Sequence, residues 1–164
     1  VSNNTRRPHY LSMASKGGEV TQVVDLVGVL HDRGIDKDIA ARVLDASPSF
    51  GFSIYVGSRR DSDTAFSVHV VLDAGTRPLP YYQTAKNDAF SRSAIALSPC
   101  PVLLPERNRW RRYACTLESY GPGVRRAVVS LRGKGVDQTD QWGPKFASPE
   151  LVVLSAGDTE AWMK

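Results

Sequence analysis

The chain has few of the residues that build metal centres, disulfide scaffolds or membrane spans. It contains two cysteines and three histidines in 164 residues. Cys100 and Cys115 form neither a C-x-x-C pair nor a zinc-ligand spacing, so we predict no metal ligands, no cofactor and no disulfide framework. No apolar run approaches the ~18 residues that cross a bilayer, and the first 18 residues lack the apolar segment of a secretory signal.

Motifs of nucleophilic or phosphate-dependent catalysis are also missing from the sequence. There is no G-x-S-x-G elbow, and Gly133-Lys134-Gly135 lacks the long glycine-rich approach of a phosphate-binding loop. We therefore assign no catalytic residues and expect a protein that is not an enzyme. One alternative stays open, a small enzyme whose site is assembled in space from Cys115, His69 and an acid.

The overall composition is that of a folded domain of ordinary size. Hydrophobic residues make up 41% of the chain and charged residues 23%, close to the averages for globular proteins. The net charge is +4, and 15 of the 21 basic residues are arginine, whose planar fork suits phosphates and carboxylates. Residues 1–18 are predicted to form a polar basic arm with Arg6, Arg7, Lys16 and no acid. Residues 19–164 show no internal boundary and are predicted to form a single domain.

Apolar residues recur at spacings of three and four in the first part of this domain. They predict one helix over residues 19–31 and a second over residues 35–46. Asp36 is suited to cap the second helix at its start, and Ser47-Pro48 is suited to end it.

From residue 50 the apolar period changes to two, which is typical of strands. Residues 50–57 and 64–73 are predicted to form a hairpin. Residues 110–119 and 125–132, joined by the glycine–proline turn at 120–123, are predicted to form a second hairpin.

Shorter strands are expected over residues 93–98, 102–104 and 151–154, with a loop over 133–149. The pattern as a whole predicts an α+β fold, in which two short N-terminal helices precede a mainly antiparallel sheet of about six to seven short strands.

The second hairpin concentrates positive charge. Residues 107–134 hold eight basic residues and a single acid, Glu118. Arginines can neutralise phosphates while interleaved aromatic rings stack on exposed bases. The alternative is a solvated sheet face whose arginines pair with carboxylates of the same or a neighbouring subunit. The predicted nucleic-acid-binding residues are Arg107, Arg109, Trp110, Arg111, Arg112, Tyr113, Arg125, Arg126, Arg132, Lys134, Arg6 and Arg7.

The predicted helical pair has the outline of a helix–turn–helix, but its charge argues against DNA binding. Residues 19–46 carry six acids and three bases, a balance of −3, and phosphates would repel such a recognition helix. A docking surface for a protein partner is the better interpretation.

This segregation of charge favours assembly or polyanion binding over catalysis. We expect a non-enzymatic, self-assembling structural protein of virion coat or matrix type, a homo-oligomer that binds RNA or another nucleic acid through the arginine-rich hairpin, in a virion or the cytoplasm. The chain is similar to coat proteins of small RNA viruses in class only, and no motif ties it to a family. The alternative is a monomeric interaction module of effector or immunity type that does not bind nucleic acid.

Overall fold

The computed structural model describes most of the chain, namely residues 10–14, 16–59, 63–78, 96–98, 108–136, 142–155 and 158–162. Over these residues the chain forms eight strands: β1 Tyr10–Ala14, β2 Gly18–Asp25, β3 Phe50–Gly57, β4 Thr64–Asp73, β5 Ala96–Ser98, β6 Trp110–Leu117, β7 Arg126–Gly135 and β8 Trp142–Val153. It also forms three short helices: α1 Leu26–Asp32, α2 Lys37–Asp45 and α3 Asp158–Trp162. None of the described helices has the length and apolarity needed to span a membrane.

The strands form two four-stranded sheets that pack face to face. Sheet A has the order β1-β8-β3-β6, and sheet B has the order β2-β7-β4-β5, with antiparallel neighbours throughout. The pairs β1–β8, β2–β7, β3–β6 and β4–β5 are nested in the chain and alternate between the sheets. This is the strand order of a jelly roll, the double-sheet architecture made of two Greek keys.

The predicted α+β fold with a single sheet is therefore wrong. Most of the predicted first helix is strand, because residues 18–25 pair with β7 along their whole length, from Gly18 opposite Gly133 to Asp25 opposite Arg126. Three of these eight residues are valines, whose branched Cβ suits a strand better than a helix. Only Leu26–Asp32 is helical, capped by the side chain of Asp25.

The predicted second helix is confirmed as α2, together with its cap. The Asp36 side chain accepts hydrogen bonds from the backbone N–H groups of Asp38 and Ile39, at 2.9 and 3.4 Å. The strands predicted over 50–57 and 64–73 are confirmed as well.

Both predicted hairpins are wrong, because consecutive strands enter different sheets. β3 lies in sheet A and β4 in sheet B, and the same holds for β6 and β7. The segment predicted as a loop over 133–149 contains the end of β7 and the start of β8. Residues 10–14 of the predicted arm form β1, whereas residues 1–9 and the strand predicted over 102–104 lie outside the described residues.

The core fills the space between the two sheets. The ring centroid of Phe66, in sheet B, lies 4.8 Å from that of Tyr113 and 6.1 Å from that of Phe146, and both of these residues belong to sheet A. The three rings therefore connect the two sheets. Each large apolar side chain buried in this way stabilises the fold by about 1.5–3 kcal/mol. Inward-facing residues of β3 and β4, all under 5% exposed, are Phe52, Ile54, Val56, Phe66, Val68 and Val70.

Candidate nucleic-acid interface

The predicted binding residues are distributed over both sheets. Arg6, Arg7 and Arg107 lie outside the described residues. Among the others, several arginines have defined hydrogen bonds to other parts of the chain, and Arg109 and Trp110 lie in the lining of a surface pocket.

Arg125 joins the β6–β7 connection to the end of α2. Its guanidinium donates two hydrogen bonds to the Asp45 carboxylate, at 2.7 and 3.0 Å, and the N–H of Gly123 donates a third at 2.9 Å. The hydrogen bond from Arg125 is the main reason that the pKa of Asp45 is lowered, and the same bond raises the pKa of Arg125. Arg125 thus acts as a tether within the chain.

Arg112 holds the C-terminal helix against the outer face of sheet A. It donates a hydrogen bond of 2.7 Å to the carbonyl oxygen of Trp162, and its guanidinium lies 4.8 Å from the centre of that indole. The ring packs over Gly51, where an added Cβ would lie 2.6 Å from Cε2 of Trp162. This cation–π interaction stabilises the packing of α3 on sheet A.

Arg126 and Arg132 project from the outer face of sheet B. Arg126 donates a hydrogen bond to the carbonyl oxygen of Arg77 at 2.8 Å. Arg132 donates to Glu19 Oε1 at 2.9 Å, and the same oxygen accepts a 2.9 Å hydrogen bond from Ser130 Oγ. Arg126 and Arg132 therefore also make contacts within the chain.

Tyr113 is a core residue and does not form a platform for a base. Its ring meets Phe66 edge to face, and it packs against the hydrophobic cluster from the inner side of sheet A. Arg111, two residues before Tyr113 in β6, lies on the same side of the strand, opposite Val56, and is exposed.

Trp110 and Lys145 flank Gly57 on the outer face of sheet A. Gly57 lies opposite Trp110 of β6 on one side and opposite Lys145 of β8 on the other. The indole is 46% exposed and lies close above Gly57, since a Cβ there would be 3.0 Å from Cδ2 of Trp110. The missing side chain at position 57 allows the indole to lie against the backbone there, with Lys145 on the other side of Gly57.

Gly57, Trp110 and Lys145 line a pocket of about 770 Å³ at the end of β3. We call it the Trp110 pocket; its lining is Gly57, Ser58, Arg59, Asn108, Arg109, Trp110 and Lys145. Three of these residues are basic and none is acidic. Arg109 and Trp110 were predicted from the sequence, whereas Arg59 and Lys145 were missed.

The two missed residues differ in the signal they carried. Arg59 follows directly after the strand predicted over 50–57, within a basic Arg59-Arg60 pair, and that position next to a strand end was a usable signal. Lys145 carried none, because its segment was predicted to be a loop. Tyr55, which is 43% exposed, is a further missed aromatic residue. It lies on the same outer face, paired with Arg112 and Ala147 in the next row of the sheet.

The structure does not bring His69 and Cys115 together. His69 faces outward from sheet B, opposite Ser130, whereas Cys115 packs against the core from sheet A, opposite Phe52. Burial lowers the pKa of His69, and the nearby Arg132 adds to that effect. Within the described residues no group of His, Cys, Asp and Glu side chains has the arrangement of a metal site.

A second pocket, of about 550 Å³, lies beside the Arg132–Glu19 pair on sheet B. We call it the Glu19 pocket; it is lined by Gly17, Gly18, Glu19, Ala65, Phe66, Ser67, Arg132, Gly133 and Lys134. It therefore contains two more of the predicted basic residues, Arg132 and Lys134. Among the described lining residues, Glu19 is acidic and Arg132 and Lys134 are basic, a balance of +1.

No protein-family model matches the chain, and no curated protein matches its sequence. Among solved structures, the chain is similar to the C-terminal domain of EclA, a sugar-binding protein, with a TM-score of 0.48, 8% identity and coverage of 93% of this chain and 83% of that one. It is also similar to Triatoma virus, with a TM-score of 0.41, 10% identity and coverage of 96% and 73%.

A third similar structure is the CBM22-1-GH10 part of xylanase 10B from Clostridium thermocellum, complexed with xylohexaose. Its TM-score is 0.37 and its identity 15%, and the match covers 70% of this chain and 19% of that one. All three TM-scores lie below 0.5, so these likenesses carry no information about what this chain binds.

Proposed function

We propose that this chain is a non-enzymatic, self-assembling structural protein of virion coat or matrix type, and that it binds single-stranded nucleic acid in the Trp110 pocket. The observation that carries the proposal is the row Lys145–Gly57–Trp110 with Arg59 and Arg109 beside it. The proposed binding site is therefore a pocket on three strands of sheet A, and not the hairpin predicted from the sequence.

The chemistry of this pocket matches an unpaired nucleotide. A base can stack on the half-exposed indole of Trp110, an interaction of about 1–3 kcal/mol per base in single-strand binders. Arg59, Arg109 and Lys145 can neutralise the flanking phosphates, with release of condensed counterions. Among the described residues that line this pocket, the charged side chains are all basic, which favours a polyanion.

Exposed apolar side chains on α1, α2 and the end of β8 support self-assembly. Ile39 and Val43, one turn apart on α2, are 46% and 42% exposed. Val29 of α1 and Val153 of β8 are 40% and 49% exposed, and both line a largely apolar groove of about 540 Å³ between these elements. Exposed apolar patches of this kind commonly mark contacts between proteins.

The proposal is tested on the purified protein by light scattering coupled to size exclusion, with the ratio of absorbance at 260 and 280 nm recorded at low and high salt. We expect an assembled species whose retained nucleic acid is released as the salt concentration rises. A salt-insensitive monomer that retains no nucleic acid would overturn the proposal and favour a monomeric interaction module.

Fluorescence anisotropy with a labelled single-stranded oligonucleotide then tests the pocket. Trp110→Ala should weaken binding by about tenfold or more without changing the salt dependence. Arg59→Ala and Lys145→Ala should each reduce the slope of log K against log salt by about 0.7. Arg42→Ala is the matched control, because it removes one exposed arginine from α2, away from the pocket, and should change neither quantity. If Arg42→Ala and Arg59→Ala behave alike, binding reflects net charge alone and the pocket assignment is wrong.

A further inference from the structure

The Glu19 pocket places a hydrogen-bond acceptor beside two cationic side chains, Arg132 and Lys134. Glu19 Oε1 accepts hydrogen bonds from Arg132, Ser130 and Thr21, at 2.9, 2.9 and 3.5 Å. Among the described residues, no group donates to its second oxygen, Oε2. The guanidinium of Arg132 uses Nη2 for Glu19, and its Nε–H is buried with no partner in the described part of the chain.

This arrangement differs from a plain phosphate site, because its carboxylate is held in place and remains half exposed. The Glu19 side chain is 39% exposed and that of Arg132 is 26% exposed. A carboxylate oxygen cannot accept a hydrogen bond from a phosphodiester, which has no O–H group, and it repels that anion. It does accept one from a hydroxyl group. The ligand that fits carries a hydroxyl next to an anion.

We propose that the Glu19 pocket binds the ribose–phosphate unit of RNA and thereby selects RNA over DNA. Glu19 Oε2 accepts the hydrogen bond of the 2′-hydroxyl, while Arg132 and Lys134 bind the adjoining phosphate. An acidic side chain on the ribose hydroxyl is a recurring solution in nucleotide sites, and the 2′-hydroxyl is the group by which proteins distinguish the two nucleic acids.

Charge supports the same assignment. The described lining residues Glu19, Arg132 and Lys134 together carry a charge of +1, which balances one phosphodiester. With DNA, the Oε2 of Glu19 loses its donor and faces the phosphate unpaired. The inference rests on the proposed function, since it names the kind of nucleic acid that the protein binds.

The test compares labelled oligouridylate, oligodeoxyuridylate and 2′-O-methyl oligouridylate of equal length by fluorescence anisotropy. These probes share their bases and phosphates and differ at the 2′ position. The unmodified protein should bind the RNA about tenfold more tightly than the DNA, as expected for one hydrogen bond to a charged group. The 2′-O-methyl probe has no hydroxyl to donate and should bind like the DNA.

Glu19→Ala should abolish this preference without weakening DNA binding, because it removes the acceptor and releases Arg132 for phosphate. Glu19→Gln keeps an acceptor oxygen and should retain part of the preference. Glu118→Ala, which removes an exposed acid outside the pocket, is the control and should leave the preference unchanged. Trp110→Ala should weaken both probes by the same factor.

The outcomes separate the two proposals. Equal binding of RNA and DNA by the unmodified protein overturns RNA selection and leaves the proposed function standing, whereas binding of neither overturns both. A Glu19→Ala protein that binds both probes less well, with the preference intact, gives Glu19 a structural role only and also overturns the inference. If Glu19→Ala does not fold, as judged by circular dichroism, the 2′-O-methyl probe decides the question with the unmodified protein.

Discussion

The indole of Trp110 lies directly over the backbone of Gly57, its cross-strand neighbour. A Cβ at position 57 would lie 3.0 and 3.1 Å from Cδ2 and Cε3 of that ring, closer than ordinary van der Waals contact. The glycine thus allows the ring to lie close to the sheet while remaining half exposed.

Substitution of Gly57 should therefore impair binding by moving the ring. We expect Gly57→Val to displace the indole and to weaken binding of a single-stranded oligonucleotide by about tenfold, the equivalent of about one lost stacking contact. Anisotropy measures the affinity, and tryptophan fluorescence reports the change in the ring's surroundings. Gly121→Ala is the control, because a Cβ at position 121 meets nothing within 4 Å. Unchanged affinity in a folded Gly57→Val protein would show that the position of Trp110 does not matter for binding.

The Asp45–Arg125 pair should make stability depend on pH in the acidic range. The folded protein lowers the pKa of Asp45 below its ordinary value of 3.8, chiefly through the hydrogen bond from Arg125. The unfolded chain therefore takes up a proton at higher pH than the folded one. The stabilisation is present in full above the ordinary value and is lost as the pH falls through the lowered pKa.

Melting temperatures measured from neutral to strongly acidic pH check this expectation. Asp45→Asn should melt below the unmodified protein at neutral pH, and the difference should shrink as the pH falls. Glu118→Gln removes an exposed acid from the neighbouring β6–β7 connection and should show no such convergence. A constant difference between Asp45→Asn and the unmodified protein at every pH would contradict the assignment.

Tyr120 should make stability depend on pH in the alkaline range. Its hydroxyl donates a hydrogen bond to the carbonyl oxygen of Pro48, and burial raises its pKa to about 12 from the ordinary 10.0. The unfolded chain therefore loses this proton first, so stability should fall as the pH rises from 10 towards 12.

Tyr120→Phe should lower the free energy of unfolding by about 1 kcal/mol at neutral pH, the typical value of one hydrogen bond. It should also remove the alkaline loss of stability, which denaturant titrations at several pH values would measure. Tyr55→Phe changes an exposed ring and should match the unmodified protein. Equal alkaline sensitivity of both variants would assign the effect to other groups.

The exposed stripe on α2 should contribute to self-association. Ile39→Glu and Val43→Glu add charge to side chains that are 46% and 42% exposed, so folding should survive while apolar contacts between copies are lost. Light scattering should show a smaller species over a range of protein concentrations. Val136→Glu provides the control, because Val136 is 51% exposed and directly follows β7 rather than lying on the helices. An unchanged assembly in both α2 variants would exclude this stripe from the contact.

Some features of the fold could be predicted from the sequence because they depend on neighbouring residues. The cap at Asp36 needs only the N–H groups of the next residues, and its side chain accepts from Asp38 and Ile39 as expected. The strands over 50–57 and 64–73 follow from an alternation that is complete within each segment.

The candidate site was only partly predictable, because its residues come from segments that lie far apart in the chain. The sequence pointed to a cluster of arginines with Trp110, and Arg109 and Trp110 do meet in one pocket. It could not show that Arg125 binds Asp45, 80 residues away, or that Arg112 holds Trp162.

By itself, therefore, the sequence determined the position of most strands, the cap of α2 and the surplus of arginine. The tertiary structure alone decided which strands share a sheet, which arginines bind within the chain, and that Lys145 lies across from Trp110. The alternating pattern of a strand is the same whichever partner it pairs with. A period of two indicates only that apolar side chains lie on one face of the strand. Partner choice depends on contacts between residues far apart in the chain, such as β1 with β8 and β2 with β7, which close only when both sheets pack on a common core.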